Sequence, residues 1–178
     1  MNLTEFKFKQ GKHFSRPLIN PLLHPSTNKI SAYVMFTEKS IYTCKDQMDY
    51  NKLIGISWGF PFNKNAIMWA YRWNTDINSF QLSPYVNYRE NGLDKMFFLD
   101  GNVEPFKAEL NIEYRLDIYK HLSLNIISFD IYYNKEYLFE YSEHLPVNTN
   151  FLLVTRRRPY HGGNTTPNND YSVYMGYL

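Results

Sequence analysis

Residues 66–74 read Ala-Ile-Met-Trp-Ala-Tyr-Arg-Trp-Asn, AIMWAYRWN, and the parity of this stretch decides the fold class. On an extended chain successive side chains point to opposite faces, so Ile67, Trp69, Tyr71 and Trp73 share one face and Met68, Ala70 and Arg72 the other. Working outward, the same alternation recurs on both sides. Ser31–Phe36 and Ser40–Cys44 flank a turn at Thr37-Glu38-Lys39. Leu53–Phe60 carries two glycines, the mark of a bulge or a close backbone approach. Phe80–Tyr88 alternates again, and Lys95–Leu99 follows the turn-forming Glu90-Asn91-Gly92. Lys107–Tyr119 is the longest strict run: Ala108, Leu110, Ile112, Tyr114, Leu116 and Ile118 lie on one side. Glu109, Asn111, Glu113, Arg115 and Asp117 lie on the other, as expected of one bent strand or a half-buried antiparallel pair.

Leu122–Tyr133 and Glu136–Tyr141 meet at Asn134-Lys135, a two-residue hairpin signal. Phe151–Thr155 and Tyr171–Tyr177 close the chain around a Gly/Asn/Pro loop, His161–Asn169. No window carries a sustained 3.6-residue apolar stripe with helix caps; Lys45–Lys52 has room for one short turn. Many short strands punctuated at intervals of about ten residues define an all-β sandwich or barrel, and a two-sheet antiparallel sandwich is the expectation. The first 29 residues differ. Pro17, Pro21 and Pro25 recur every four residues, which forbids a regular helix and discourages a central strand. An extended N-terminal arm over 1–29 and a sandwich domain over 30–178 follow, with edge strands at Phe6–Lys9 and Leu18–Leu23 as the alternative.

Composition narrows the class of partner. The chain has 178 residues, enough to bury a core without staples. Its aromatic content of 18%, with 16 Tyr and 13 Phe, favours strands and half-wet surfaces. A formal net charge of +2 argues against a nucleic-acid partner, which needs a basic face. The one dense basic cluster, Arg156-Arg157-Arg158, reads as a solvated strand end. Cys44 is alone, so neither an intramolecular disulfide nor a cysteine zinc cage is available. No apolar stretch reaches transmembrane length and Met1–Gln10 lacks a signal-peptide core, so no membrane partner is expected.

Catalytic signatures are sparse. Glu109/Glu113 and Glu113/Asp117 are pairs four residues apart on a strand, roughly 13 Å, too far for the carboxyl pair of a glycosidase. Arg115 between them makes a solvated charge ladder the better reading. Glu136, Glu140 and Glu143 flank a hairpin without a closer relationship. His13, His24, His121, His144 and His161 show no metal-ligand spacing, and no nucleophile elbow, P-loop or dinucleotide fingerprint occurs. No cofactor, metal or enzyme activity is therefore expected. Asp46, Asp49 and Asn51 place oxygens at short spacing before a strand, but without the glycine turn and distal glutamate of a calcium loop they read as loop caps.

The richest constellation is aromatic. Trp58, Trp69, Tyr71 and Trp73 fall with Arg72, Asn74 and Tyr85 on neighbouring strands. Rings beside Arg and Asn donors suit a sugar, stacking on its apolar face and bonding its hydroxyls. Ile67 shares the Trp69–Tyr71–Trp73 row, so that row reads as core and the row centred on Arg72 as the exposed or cleft-facing one. Gly162-Gly163 permits positive φ or a tight backbone approach, and a loop folded over the sheet edge would present His161 and Asn164. The candidate ligand-binding residues are thus Arg72, Trp73, Asn74, Trp58, Tyr85, His161 and Asn164.

Asp49–Trp58 (DYNKLIGISW), Ala66–Asn74 and Pro159–Asp170 (PYHGGNTTPNND) together resemble small proteins encoded in bacteriophage and prophage genomes. Those proteins carry a Trp-Asn-Lys-Leu-like stretch, an Arg-centred strand and a Tyr-x-Gly-Gly-Asn loop before the last strand. Here Tyr50 replaces the Trp, and Asn169-Asp170 a His-Asp pair. The likeness runs loosely from Lys29 to Leu178. It implies a jelly-roll, concanavalin A-like sandwich. It also implies a non-catalytic structural or accessory role in a virion, as a capsid decoration or fibre component assembled in the host cytoplasm. Other protein subunits, in an oligomer or larger assembly, are then the expected partners. The alternative is a carbohydrate-binding module with a glycan partner; a glycan-cleaving enzyme has only the fold class behind it.

Overall fold

The computed structural model describes residues 2–18, 23–24, 28–57, 65–90, 93–98, 103–121, 124–144, 154–156 and 158–178. Fourteen strands are assigned among them: β1 Thr4–Phe8, β2 Ser15–Arg16, β3 Leu23–His24, β4 Lys29–Met35, β5 Asn51–Ser57, β6 Ala66–Asn74, β7 Ser79–Glu90, β8 Leu93–Phe98, β9 Phe106–Ala108, β10 Glu113–His121, β11 Ile126–Tyr133, β12 Glu136–His144, β13 Val154–Arg156 and β14 Tyr171–Tyr177. They form two sheets in which every pairing is antiparallel. A terminal sheet, holding both chain ends, runs β12-β11-β10-β4-β14-β1-β2. A central sheet runs β3-β13-β5-β6-β7-β8, with β9 also paired to β7. The protein is a two-sheet antiparallel β-sandwich.

The alternating pattern explains the core. Ile67, Trp69, Tyr71 and Trp73 of β6 turn towards the terminal sheet and meet Ile118, Ile127, Phe129 and Val173 in one buried cluster. Trp69 packs edge-on against Phe129 with ring centroids 5.4 Å apart. Its indole Nε1–H donates across the sandwich to the Asp117 carbonyl at 3.0 Å, so the buried polar atom is satisfied. Phe36 stacks on Phe80 at 4.2 Å.

Several boundaries differ from the sequence reading. The first residues are not a separate arm: β1 lies between β14 and β2, and Phe6 and Phe8 are fully buried in the sandwich core. Phe8 stacks flat on Tyr171 at 4.5 Å. The domain boundary expected at residue 29 is therefore absent, because hydrophobic Phe6 and Phe8, two apart, supply the inward face of a strand. Residues 19–22 and 25–27, including Pro21 and Pro25, lie outside the described residues. So do parts of the strands expected at Leu18–Leu23, Leu53–Phe60, Lys95–Leu99 and Phe151–Thr155.

Ser40–Cys44 forms no strand. Glu38–Ser40 is a 3-10 turn closed by a capping box between Thr37 and Ser40. Asn169 then bridges the backbone that a neighbouring strand would have paired, accepting from Thr43 N at 2.9 Å and donating to Ile41 O at 3.1 Å. The long run Lys107–Tyr119 is also neither one strand nor a hairpin. β9 pairs with β7 in the central sheet and β10 with β4 in the terminal one, so the chain changes sheets between them. Asn111, at φ +62°, turns the corner. Alternation survives the crossing because both sheets face the same core.

Other features follow the sequence directly. β6 and β14 have the expected bounds. Asn134 and Lys135 sit at φ +48° and +68°, the two left-handed residues of a type I′ hairpin between β11 and β12. At Gly55 the β5–β6 register shifts, and a Cβ there would fall 2.2 Å from the Ile67 carbonyl.

Candidate functional site

The residues singled out around Arg72 do not form an open surface. Arg72 lies on the outer face of the central sheet, half-buried. Its Nε donates to Gln81 Oε1 at 2.8 Å, its Nη1 to Met48 O at 2.9 Å, and its guanidinium lies 4.5 Å from the Tyr50 ring centre. Asn74 donates to the same Gln81 oxygen at 3.1 Å. Tyr85, buried, sits under the Lys52 ammonium at 4.8 Å and joins Tyr50, Ala66, Met68 and Ala70 in a second apolar cluster. Arg72, Asn74 and Tyr85 thus share a face, but a closed one. Trp73 is on the opposite side, in the core beside Phe80 at 4.9 Å. Trp58 lies outside the described residues.

The glycine loop is a brace. Gly162 N–H donates to Asn51 Oδ1 at 2.6 Å, and a Cβ on Gly162 would fall 2.3 Å from Tyr50 O. Gly163, at φ +76°, rests on the Asp49 side chain, and Asp46 N–H donates to Thr165 Oγ1 at 3.2 Å. Asp46, Asp49 and Asn51 therefore tie this loop to β5. Among the described residues no group of His, Cys, Asp and Glu side chains is arranged to hold a metal ion.

His161 is not presented to solvent, as expected of the loop, but is 1% exposed. Its Nδ1 meets the Tyr171 hydroxyl at 2.9 Å, and Tyr171 meets the Tyr71 hydroxyl at 3.0 Å. His13 Nδ1 donates to His161 O at 2.9 Å. Burial, followed by the nearby His13 and Lys52, pushes His161 down to about 4. Asn164 alone of this pair is exposed. The His161–Tyr171–Tyr71 chain is buried structure.

A second polar face lies on the outside of the terminal sheet, partly exposed, with Ser31, Asp117 and Ser128 buried beneath their neighbours. Its strands β4, β10, β11 and β12 turn Ile30, Ala32, Val34, Tyr114, Leu116, Ile118, Ile127, Phe129 and Ile131 inward, so the intervening residues face out. Register places these in rows across the strands. Tyr33, Arg115, Tyr132 and Tyr137 form one; Ser31, Asp117, Asp130 and Glu140 the next; Lys29, Tyr119, Ser128 and Ser142 the third.

In the first row the Arg115 guanidinium lies 5.3 Å from the Tyr132 ring centre, and Tyr137 stands edge-on to Tyr132 at 5.3 Å. In the second, Asp117 is gripped by Arg115 through Nε at 3.0 Å and Nη2 at 2.7 Å, and by Lys29 at 3.0 Å. Burial opposes its ionisation, but the bonds from Arg115, Ser31 and Lys29 outweigh that and hold the carboxyl below its usual range. Its neighbour Asp130 goes the other way. Burial, then the charges of Glu140 and Asp117, push it up. Tyr132 donates to Asp130 at 3.4 Å. Burial and a bond to Glu140 raise the Tyr137 hydroxyl.

Reading along single strands missed this site. Glu113, Arg115 and Asp117 were visible as a ladder, but Asp130 and Glu140 join it only through the register of β10, β11 and β12. Asp130, a charge inside the apolar run of β11, was the available signal.

No protein-family model and no curated protein sequence matches the chain. Among solved structures it is similar to an alginate lyase from Klebsiella pneumoniae at 10% identity and a TM-score of 0.49, over 83% of this chain and 56% of that one. It is also similar to a heptameric SAP-like pentraxin from Limulus polyphemus, at 10% identity and TM-score 0.43, over 97% of this chain and 73% of that one. A galectin from Caenorhabditis elegans matches at 11% identity and TM-score 0.39, over 96% and 95%. These are β-sandwich proteins of the jelly-roll, concanavalin A-like type, and the likeness concerns the fold alone. Nothing in the comparisons shows a bacteriophage origin.

Proposed function

We propose that this protein is a non-catalytic carbohydrate-binding sandwich whose ligand lies on the outer face of β4, β10, β11 and β12. The observation that carries this reading is the register. It sets the row Tyr33–Arg115–Tyr132–Tyr137 directly beside the row Ser31–Asp117–Asp130–Glu140. Aromatic rings stack on the apolar face of a pyranose, and Asp130 and Glu140 in the adjoining row take its hydroxyls. Asp117 is buried beneath Arg115 and Lys29, and its carboxylate fixes those two cations beside the tyrosine row before a ligand arrives. Glycoside cleavage needs two carboxyls flanking the scissile bond. On one sheet face all the carboxyls lie on the same side of a bound sugar, which favours binding over hydrolysis.

A glycan array tests the proposal, followed by titration of its best ligand against Tyr137→Ala. Tyr137 is 49% exposed, so its truncation leaves the core intact. A stacked ring contributes on the order of 1 kcal/mol, or roughly a fivefold loss of affinity at unchanged melting temperature. A blank array, or full affinity in the variant, would overturn the reading.

One observation favours assembly as a second reading. β12 ends the terminal sheet among the described residues, with Tyr137 and Leu138 exposed on it. Such an edge is a template for another chain's strand, as in a virion component of the kind the sequence resemblance implies. Purified particles containing the chain, with β12 amides protected from exchange only in the particle, would establish it.

A further inference from the structure

Asp130 and Glu140 are directly opposite each other on β11 and β12. Like charges in that position destabilise a sheet, and an unliganded fold gains nothing by placing them there. The two cations of these rows, Lys29 and Arg115, both bond Asp117, and the Lys29 charge offsets the repulsion at Asp130 only in part. Among the described residues neither Asp130 nor Glu140 has a salt-bridge partner; each accepts a tyrosine hydroxyl, from Tyr132 and Tyr137 respectively. Carboxylates alone would be a solvated ladder. What distinguishes this pair is the Tyr132–Tyr137 row beside it, which offers a ring-stacking surface within reach of both carboxyls.

We infer that the ligand is positively charged: an oligosaccharide of amino sugars, with a pyranose ring on Tyr132 and Tyr137 and its ammonium group between Asp130 and Glu140. This rests on the carbohydrate-binding reading and names the chemistry of that same site. The argument is charge complementarity. An ammonium placed there adds an opposite charge directly between the pair and donates to both carboxylates. The same pair repels a uronate or other acidic sugar, so anionic glycans are excluded. Neutral, N-acetylated sugars keep the stacking but lose the ion pair. Burial first, then the charges of Glu140 and Asp117, raise the proton affinity of Asp130, and an ammonium beside it acts in the opposite direction.

Calorimetric titration of the whole chain at pH 6 tests this with a glucosamine hexamer, an N-acetylglucosamine hexamer, a polyuronate and polylysine. The expected result is at least tenfold tighter binding of the glucosamine hexamer than of its N-acetylated form, and none of the polyuronate. In an Asp130→Asn, Glu140→Gln variant, which removes the repulsion and so melts no lower, the affinity ratio of the two hexamers falls to about one. Equal affinity of the hexamers in the wild type overturns the inference and leaves carbohydrate binding standing. Polylysine binding as tightly as the glucosamine hexamer also overturns it, since charge without a ring then suffices. No binding of any glycan removes both.

Discussion

Acidification loosens the end of the sandwich where His161 is buried, and the amount follows from the site. The groups facing its ring are the Tyr42 and Tyr171 side chains, the Thr165 backbone, and the basic side chains of His13 and Lys52. None is an acid that would stabilise an imidazolium. The folded value of about 4 lies below the model-peptide 6.5, so the unfolded chain takes up the proton first as pH falls. The stabilising contribution is complete above pH 6.5 and drains away on the way down to about 4. Linkage between those two values removes about 2 kcal/mol by pH 5 and about 3 kcal/mol by pH 4. For a chain of this size the first figure corresponds to a fall of about 4–8 °C in melting temperature. Asp130 opposes the trend: its folded value is raised, so protonation there stabilises the native state in acid. The comparison must therefore be with His161→Gln, which keeps Asp130 and removes the imidazole. Urea midpoints at half-unit steps from pH 7.5 to 4 give the two slopes. The variant is less stable at pH 7.5, having lost its bond to Tyr171, but its curve is flatter below pH 6.5. Parallel curves for the two proteins would refute the reasoning.

Other perturbations separate structural roles. Gly55→Ala drives a Cβ into the Ile67 carbonyl and Met68 Cα, so it lowers stability in urea by about 3 kcal/mol or more. Gly11→Ala meets nothing within 4 Å and pays only for φ +73°, about 1 kcal/mol, so equal effects would contradict the close approach at Gly55. Phe8→Ala costs about 3–5 kcal/mol in the same assay, since Phe8 is fully buried against Tyr171. An unchanged midpoint would restore a dispensable arm. Asp117→Asn leaves Arg115 and Lys29 without their carboxylate and costs about 2 kcal/mol at pH 7. Because the folded carboxyl sits below 3.8, that difference holds above pH 4 and shrinks below it; a difference that vanishes by pH 5 would mean the ion pairs contribute nothing.

Where local chemistry alone determines the backbone, the chain was legible. Asn134-Lys135 needs only two residues that tolerate the left-handed region, and AIMWAYRWN needs only its parity. Gly162-Gly163 uses both freedoms open to glycine, one for a close approach and one for positive φ. Ser40–Cys44 was not legible, because the partner that satisfies its backbone is Asn169, 126 residues away from Thr43. The sheet crossing between β9 and β10 left no trace in the pattern either. A strand bending within one sheet and a chain passing between sheets both keep apolar residues on the core side. The proline spacing near the N-terminus favours an arm, but Phe6 and Phe8 have strand parity, and the alternative strand at Phe6–Lys9 is the one that forms, as β1 inside the sheet rather than at its edge.

The closure of the face around Arg72 has a physical cause that the strands themselves record. In β6 both parities are apolar: Ile67, Trp69 and Tyr71 on one, Met68 and Ala70 on the other. A strand of that kind is covered on both faces. Arg72, at its end, is drawn into bonds with Gln81 and Met48 rather than left for a ligand. β10 is different. Tyr114, Leu116 and Ile118 are buried, while Glu113, Arg115 and Tyr119 stay partly exposed on the other parity. One-sided polarity marks a sheet face that water, or a ligand, reaches. The Trp-rich strand β6 is covered on both faces, whereas the parity of β10 leaves one face polar. Of the carboxylates spaced four apart along this run, Glu109, Glu113 and Asp117, only Asp117 gains acidic neighbours across strands, where it meets Asp130 and Asp130 meets Glu140.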